Sequence, residues 1–288
     1  MKKVSGPLRR KPLREAREPQ SKGAVQAVDR AMRILEVIAE AEAGMSLSEI
    51  TERSGLSTST VHRILTTMEE RRFVMFDAAE SAWRIGRQAH SVGASFARRN
   101  NFIGAALPFL RALRDKTRET INLGIAEAGE VVILHQVESR EIVRAITRPG
   151  GRIPMTSSGL GKAIMAHYAT PDIGHIVKTF GLRRLTPKSI VRADDLFAAL
   201  HRIRQDGYAL DDEEANPGLR CVASAVFNSD GEPLCAISLS APAARISDER
   251  FHRLGHIVAQ VAVAITQSLG GIVPEHKDRE SDAAALSG

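Results

Sequence analysis

From Val25 to Glu42 the apolar positions Val28, Met32, Leu35 and Ile38/Ala39 recur at intervals of three and four, the repeat of one helix face. They predict a first helix that ends by Gly44. Ser46 stands three residues before Glu49, the spacing of a capping box, and so starts a short second helix over about 47–53. Ser54-Gly55-Leu56 then turns the chain. Ser57 is placed to cap a third helix running to about Arg72, with Val61, Ile64, Leu65 and Met68 facing inward. Two strand-like runs follow, Phe73–Phe76 and Ala82–Ile85, around a polar corner at 77–81. Helix, helix, turn, helix and hairpin is the order of a winged helix-turn-helix.

Beyond Gly86 the pattern changes. Residues 87–99 predict a linker helix, Asn100-Asn101 a soft break, and 102–118 a longer helix. Strands are expected at 120–127 and 130–139 around Gly129, followed by an irregular stretch, Pro149-Gly-Gly-Arg-Ile-Pro154. Three helices fit 159–168, 171–180 and 192–206. Strands return at 208–212, 221–228 and 233–240, the last two joined by the turn-forming Ser229-Asp230-Gly231-Glu232. A final helix over 248–268 begins behind Ser247 as N-cap. Paired strands, then helices, then a hairpin and a last helix make this half an α+β domain on one mostly antiparallel sheet.

The expected organisation is a basic leader without fixed structure at 1–23, a winged helix-turn-helix domain at 24–86, and a linker helix at 87–100. A ligand-binding domain at 101–271 and a disordered tail at 272–288 complete it. The 288 residues are 43% hydrophobic, enough to bury a core in each of two domains. The two cysteines, Cys221 and Cys235, lie in no CxxC or His/Cys cluster, so neither a disulfide framework nor a zinc ribbon is indicated. A reducing, cytoplasmic compartment is expected. The chain has no apolar run of membrane-spanning length, and its basic start leads into polar sequence rather than a signal-peptide core.

Charge is unevenly placed. The net charge of +6 equals that of residues 1–23, where eight Lys/Arg face two Glu. Residues 24–86 carry seven basic and ten acidic side chains. A DNA-binding role for this domain therefore requires segregated charge, with Arg63, Arg71, Arg72 and Arg84 toward the nucleic acid, or help from the leader. Within the third helix, Ser57, Thr58, Ser59, Thr60, His62, Arg63 and Thr66 are the candidate DNA contacts, with Arg84 on the wing. Hydroxyls and a helix N terminus suit phosphates, and an arginine can reach a guanine edge.

Three segments together resemble the IclR-type transcription regulators over about residues 24–270. They are Leu47 to Gly86 with its closing Trp-Arg-Ile-Gly, Met155-Thr-Ser-Ser-Gly-Leu-Gly-Lys-Ala163, and Gly207-Tyr-Ala-Leu-Asp-Asp-Glu-Glu-Ala-Asn-Pro-Gly-Leu-Arg-Cys-Val-Ala-Ser-Ala-Val226. The resemblance implies a GAF-like effector domain, a homodimer joined mainly through the DNA-binding half, and often a dimer of dimers. Within the family the chain is most similar to the glyoxylate-responsive repressors of allantoin and β-hydroxyaspartate metabolism. In those relatives the positions matching Gly159, Leu160, Asp211, Cys221, Ser238 and Ser240 line the effector pocket. Ser238 and Ser240 alternate correctly to point to one sheet face. Asp211 beside a carboxylate ligand is awkward unless it donates as an acid or orients the site.

Other chemistries fit less well. Ser158-Gly-Leu-Gly-Lys162 invites a phosphate-loop reading, but Thr156 stands where the first glycine is needed and Ala163 follows the lysine. What remains is a helix N terminus whose N–H groups suit a small anion. Cys221 as a nucleophile lacks a partner His and Asp/Asn at a recognisable spacing. His252 and His256 share a helix face without a third metal ligand. No cofactor or metal is expected. The reading is a repressor of double-stranded operator DNA, released by a small organic acid such as glyoxylate, with the 87–99 helix coupling sensor to DNA reader. The alternatives are an activator of aromatic-acid catabolism and an enzyme acting on a small keto acid.

Overall fold

The structure, a computed structural model, describes residues 25–41, 43–99, 102–141 and 148–274. The expectations for the basic leader and for most of the C-terminal tail lie outside them. The chain divides into two compact units, Met1–Arg98 and Arg99–Gly288.

The first unit comprises α1 (Gln26–Ala39), α2 (Leu47–Ser54), α3 (Thr58–Glu70), the antiparallel hairpin β1 (Val74–Asp77) and β2 (Ala82–Ile85), and α4 (Arg87–Arg99). Local chemistry sets its boundaries. Ser46 and Glu49 form the reciprocal capping box at the start of α2, and Gly55, in the left-handed region at φ 67°, ends that helix. Ser57 then caps α3 by accepting from the backbone N–H of Thr60. Ile34, Ile38, Ile50, Val61, Leu65 and Trp83 form the core, and Met45 bridges to Trp83 beside the hairpin.

One expectation about α1 is corrected. Val28 and Met32 do not face inward; they are 55% and 50% exposed, and Val25 is 64% exposed. The helix carries two apolar stripes at the same spacing, and only the one bearing Ile34 and Ile38 meets α2, α3 and β2. Periodicity alone has no means of choosing between them.

The second unit contains α5 (Phe102–Thr117), β3 (Thr120–Glu127), β4 (Glu130–Val137), β5 (Arg152–Pro154), α6 (Gly159–Met165), α7 (Thr170–Phe180), α8 (Ala193–Asp206), β6 (Ala209–Asp212), β7 (Leu219–Phe227), β8 (Pro233–Pro242) and α9 (Asp248–Ser268). A single 3-10 turn, Met155–Ser157, precedes α6. The six strands form one sheet in the order β5-β4-β3-β8-β7-β6, and every pairing is antiparallel. The irregular stretch before α6 thus supplies a short edge strand, and α6 ends at Met165, earlier than the predicted 168.

Side-chain alternation separates the two faces of this sheet. Ile237 and Leu239 on β8 pack with Leu110 and Leu113 of α5 and Val258 and Ile265 of α9. The opposite face packs Val131 and Ile133 against Leu160 and Ile164 of α6 and Leu196 and Leu200 of α8. Ser238 and Ser240, one step out of phase with the isoleucine and leucine, fall on this second face and are buried. No helix among the described residues is long and apolar enough to cross a membrane.

Candidate effector cavity and nucleic-acid face

On α3 the inward stripe of Val61, Leu65 and Met68 leaves the opposite face in solvent. Ser57, Thr58, Ser59, His62, Arg63 and Thr66 are all exposed and Thr60 is half-buried. Some hydroxyls are held locally: Thr60 Oγ1 lies 2.8 Å from Ser57 Oγ, and Thr66 Oγ1 donates to the His62 carbonyl at 3.0 Å. Arg84 differs from its neighbours. It is only part-exposed, and its Nε lies 3.5 Å from Asp77 Oδ2 across the hairpin, so a phosphate would compete with Asp77 for it.

In the second unit all six residues expected to hold the effector line one cavity of about 30 Å³. Strand register brings them there. In one row, Thr120, Ser240, Cys221 and Asp211 are successive cross-strand partners on β3, β8, β7 and β6. In the next row on the same face, Gln136, Asn122 and Ser238 are partners on β4, β3 and β8. Gly159 and Leu160 of α6 cover them. A Cβ on Gly159 would sit 3.5 Å from Ala223 and 3.6 Å from Asp211, so this glycine keeps the cavity open between helix and sheet.

The polar groups are tied to one another. Cys221 Sγ donates to Ser240 Oγ at 3.1 Å, and Asn122 Nδ2 donates to Ser240 Oγ at 3.2 Å and Ser238 Oγ at 3.4 Å. Asn122 is a lining residue the sequence reading missed. One amide in the run Thr-Ile-Asn-Leu-Gly-Ile gives no local signal, although its phase relative to Ile121 and Leu123 marks the face opposite to theirs.

Asp211 is 3% exposed, and burial pushes its carboxyl up to about 7, against the pull of the Lys162 ammonium and with Glu214 adding to the rise. Lys162, 2% exposed, forms a buried ion pair with Glu214 and donates to the Leu210 carbonyl at 2.8 Å. Burial likewise raises the Glu214 carboxyl, opposed by Lys162. One ammonium thus serves two buried carboxylates, and the one left without a direct pair is the one that holds a proton near neutrality.

This geometry resolves three sequence questions. Lys162 is a buried structural cation and not a phosphate ligand. The α6 N terminus is a minor element, because the helix has only seven residues and Ser158 Oγ already accepts from the Gly161 N–H at 3.1 Å. Cys221 is buried, and burial, followed by the nearby Asp211, raises its thiol well above the ordinary range, so it supplies a weak donor and not a thiolate nucleophile.

Elsewhere, His252 Nδ1 lies 3.1 Å from Tyr208 Oη and the His256 ring is 5.0 Å from that tyrosine's. No group of residues suited to a metal ion occurs among the described residues. A larger surface cleft of about 230 Å³ between α5 and α9 is lined by Lys116, Arg250, Arg253 and apolar neighbours. Arg253 pairs there with Glu249 and Arg250 lies 3.9 Å from Glu119, and no buried polar set converges on it. The smaller interior cavity is the better-built site.

Comparison with known proteins agrees with both halves. Residues 27–78 match the IclR helix-turn-helix domain, and residues 94–267 match the C-terminal domain described as bacterial transcriptional regulator IclR. The chain is 39% identical over 240 residues to the HTH-type transcriptional regulator BhcR of Paracoccus denitrificans, covering 83% of this chain and 86% of that one. It is 36% identical over 252 residues to the transcriptional repressor IclR of Escherichia coli, covering 87% and 92%. The crystal structure of the Thermotoga maritima IclR superposes with a TM-score of 0.72 at 27% identity, over 85% of this chain and 99% of that one. These relatives are regulators, not enzymes. The chain belongs to the IclR family of ligand-responsive, DNA-binding bacterial transcriptional regulators.

Proposed function

We propose that the chain is a repressor whose second unit captures a small organic acid, glyoxylate or a close analogue, and releases its operator when it does. The observation that carries this reading is the interior cavity. Three hydroxyls, a thiol, two amides and a carboxyl that holds a proton near neutrality line a cavity with room for roughly two waters. A two-carbon acid matches that scale.

A protonated Asp211 meets a carboxylate ligand as a donor, which removes the repulsion that two carboxylates would otherwise have. Gly159 and Leu160 add backbone and bulk above the sheet, and Ser238 and Ser240 supply hydroxyls from below. For the ligand to act on transcription it must bind the DNA-competent and DNA-incompetent states unequally. The name of the Escherichia coli relative, a transcriptional repressor, supports the sign of the response.

The nucleic-acid side rests on the outer face of α3. Ser57, Thr58, Ser59, Thr60 and Thr66 contact phosphates, His62 and Arg63 reach the major groove, and Arg84 reaches backbone after exchanging Asp77 for phosphate. The exposed stripe of Val28 and Met32 on α1, with Val25 at its N-cap, supports self-association of this unit into the homodimer that pseudo-palindromic half-sites require, with a dimer of dimers built on it.

Calorimetry on the purified chain, with glyoxylate and protocatechuate as ligands, tests the assignment. Glyoxylate binding that weakens retention of operator DNA supports it. Protocatechuate binding with glyoxylate inert overturns the ligand class, and turnover of a keto acid without added cofactor overturns the pure-sensor reading.

A further inference from the structure

Gln136 does not itself line the cavity, yet it stands at the end of the hydrogen-bond chain formed by groups that do. It is half-buried on β4, directly opposite Asn122 in the β3–β4 register. Its Nε2 donates to Asn122 Oδ1 at 2.9 Å. A side-chain amide has one acceptor end and one donor end. With its oxygen engaged by Gln136, Asn122 has only N–H groups to present to Ser238 and Ser240, and it donates to both.

The consequence lies in the hydroxyls. A serine oxygen has two lone pairs and a single O–H. Ser240 accepts from Asn122 and from the Cys221 thiol, and Ser238 accepts from Asn122. Both lone pairs of Ser240 are then engaged and its O–H is left to address the cavity, while Ser238 keeps its O–H and one lone pair; both side chains line that cavity. If the Asn122 amide were reversed, its oxygen would take those O–H groups and the serines would show the ligand lone pairs.

We propose that Gln136 is a positioning residue that sets the polarity of the effector site, biasing the Asn122 amide so that Ser240 presents only its O–H and Ser238 its O–H beside one lone pair, and the cavity selects an anionic acid over its neutral amide. The proposal rests on the reading of this cavity as the effector site. It assigns to a side chain outside the lining the task of discriminating ligand charge. The chain of donors runs in one direction, from Gln136 through Asn122 to the two serines.

The test is the ratio of dissociation constants for glyoxylate and its neutral amide, glyoxylamide, measured by calorimetry on the full chain at one pH. The wild type is expected to favour the acid. Gln136→Met, similar in length but unable to donate, frees the Asn122 amide to reverse, and the ratio should fall ~10-fold or more, the worth of a hydrogen bond to a charged group. Gln136→Glu, an acceptor, should hold the amide reversed and favour glyoxylamide; this variant decides the matter if Gln136→Met lowers the melting temperature without ligand. A wild-type ratio retained in a folded variant overturns the proposal alone. A wild-type chain that binds neither compound overturns the cavity reading together with it.

Discussion

Asp211 folds the following turn back onto itself: its Oδ1 accepts from the backbone N–H of Glu214 at 2.8 Å, while the Glu214 side chain pairs with Lys162. Two carboxylates three residues apart thereby share one buried ammonium. With burial holding the Asp211 carboxyl up to about 7, the folded chain keeps a proton there that the unfolded chain releases near 4. Its contribution to stability is therefore full below about pH 4 and is lost as pH rises through about 7. Denaturant midpoints of wild type and Asp211→Asn, compared between about pH 5 and 8, should show the wild type weakening relative to the variant as pH rises. A constant difference would contradict the assignment. Glyoxylate affinity should fall in the same direction, approaching tenfold per pH unit above about 7.

The Lys162–Glu214 pair yields a second expectation. Removing one member of a buried pair leaves an uncompensated charge, which costs about 3–5 kcal/mol, whereas replacing both with apolar side chains of similar volume is often near neutral. Lys162→Met should be severely destabilised in urea titrations, and Lys162→Met with Glu214→Leu should recover much of the loss. Equal stability of the single variant and wild type would show that the lysine is not a structural cation.

Two glycines of α6 separate folding from ligand capture. A Cβ on Gly161 would lie 2.3 Å from both Cα and the carbonyl oxygen of Met155, where the backbone itself must move. Gly161→Ala should therefore unfold at lower temperature. Gly159→Ala has ordinary contact distances and should keep the wild-type melting temperature, but its methyl enters the cavity and should weaken acid binding. Calorimetry and thermal melts on the two variants distinguish these outcomes; the reverse pattern would relocate the ligand.

Substitutions in α3 should likewise divide into reading and holding. Arg63→Ala should weaken operator binding by ~1–3 kcal/mol if the guanidinium makes a bidentate base contact, with little change in stability. Ser57→Ala removes the cap on the Thr60 N–H and should destabilise the first unit by about 1 kcal/mol. Retention assays across a salt series, with parallel melts, resolve the two.

Legibility followed the range of the interactions. The Ser46/Glu49 box and the Ser57 and Ser247 caps are made within a few residues of sequence, and all three hold in the structure. Strand β5 is not legible because its three residues, which follow Gly151 and end in Pro154, become a strand only by pairing with Val132 and its neighbours on β4. The inward face of α1 was misread because two stripes compete on one helix. The six residues carried over from the family resemblance do share a cavity, whereas Asn122 and Gln136 could not be found locally, since their roles depend on a register linking strands more than a hundred residues apart.

That register also makes the site intolerant of changes in chain length. Because successive strand residues face opposite ways, one residue inserted or deleted within β8 before Ser238 would turn both serines toward α5 and α9 and bring Leu239 or its neighbours under α6. Insertions in the 229–232 hairpin leave the phase of β8 intact. Variation in length among relatives with a working site should therefore collect in that turn and be absent from the strand.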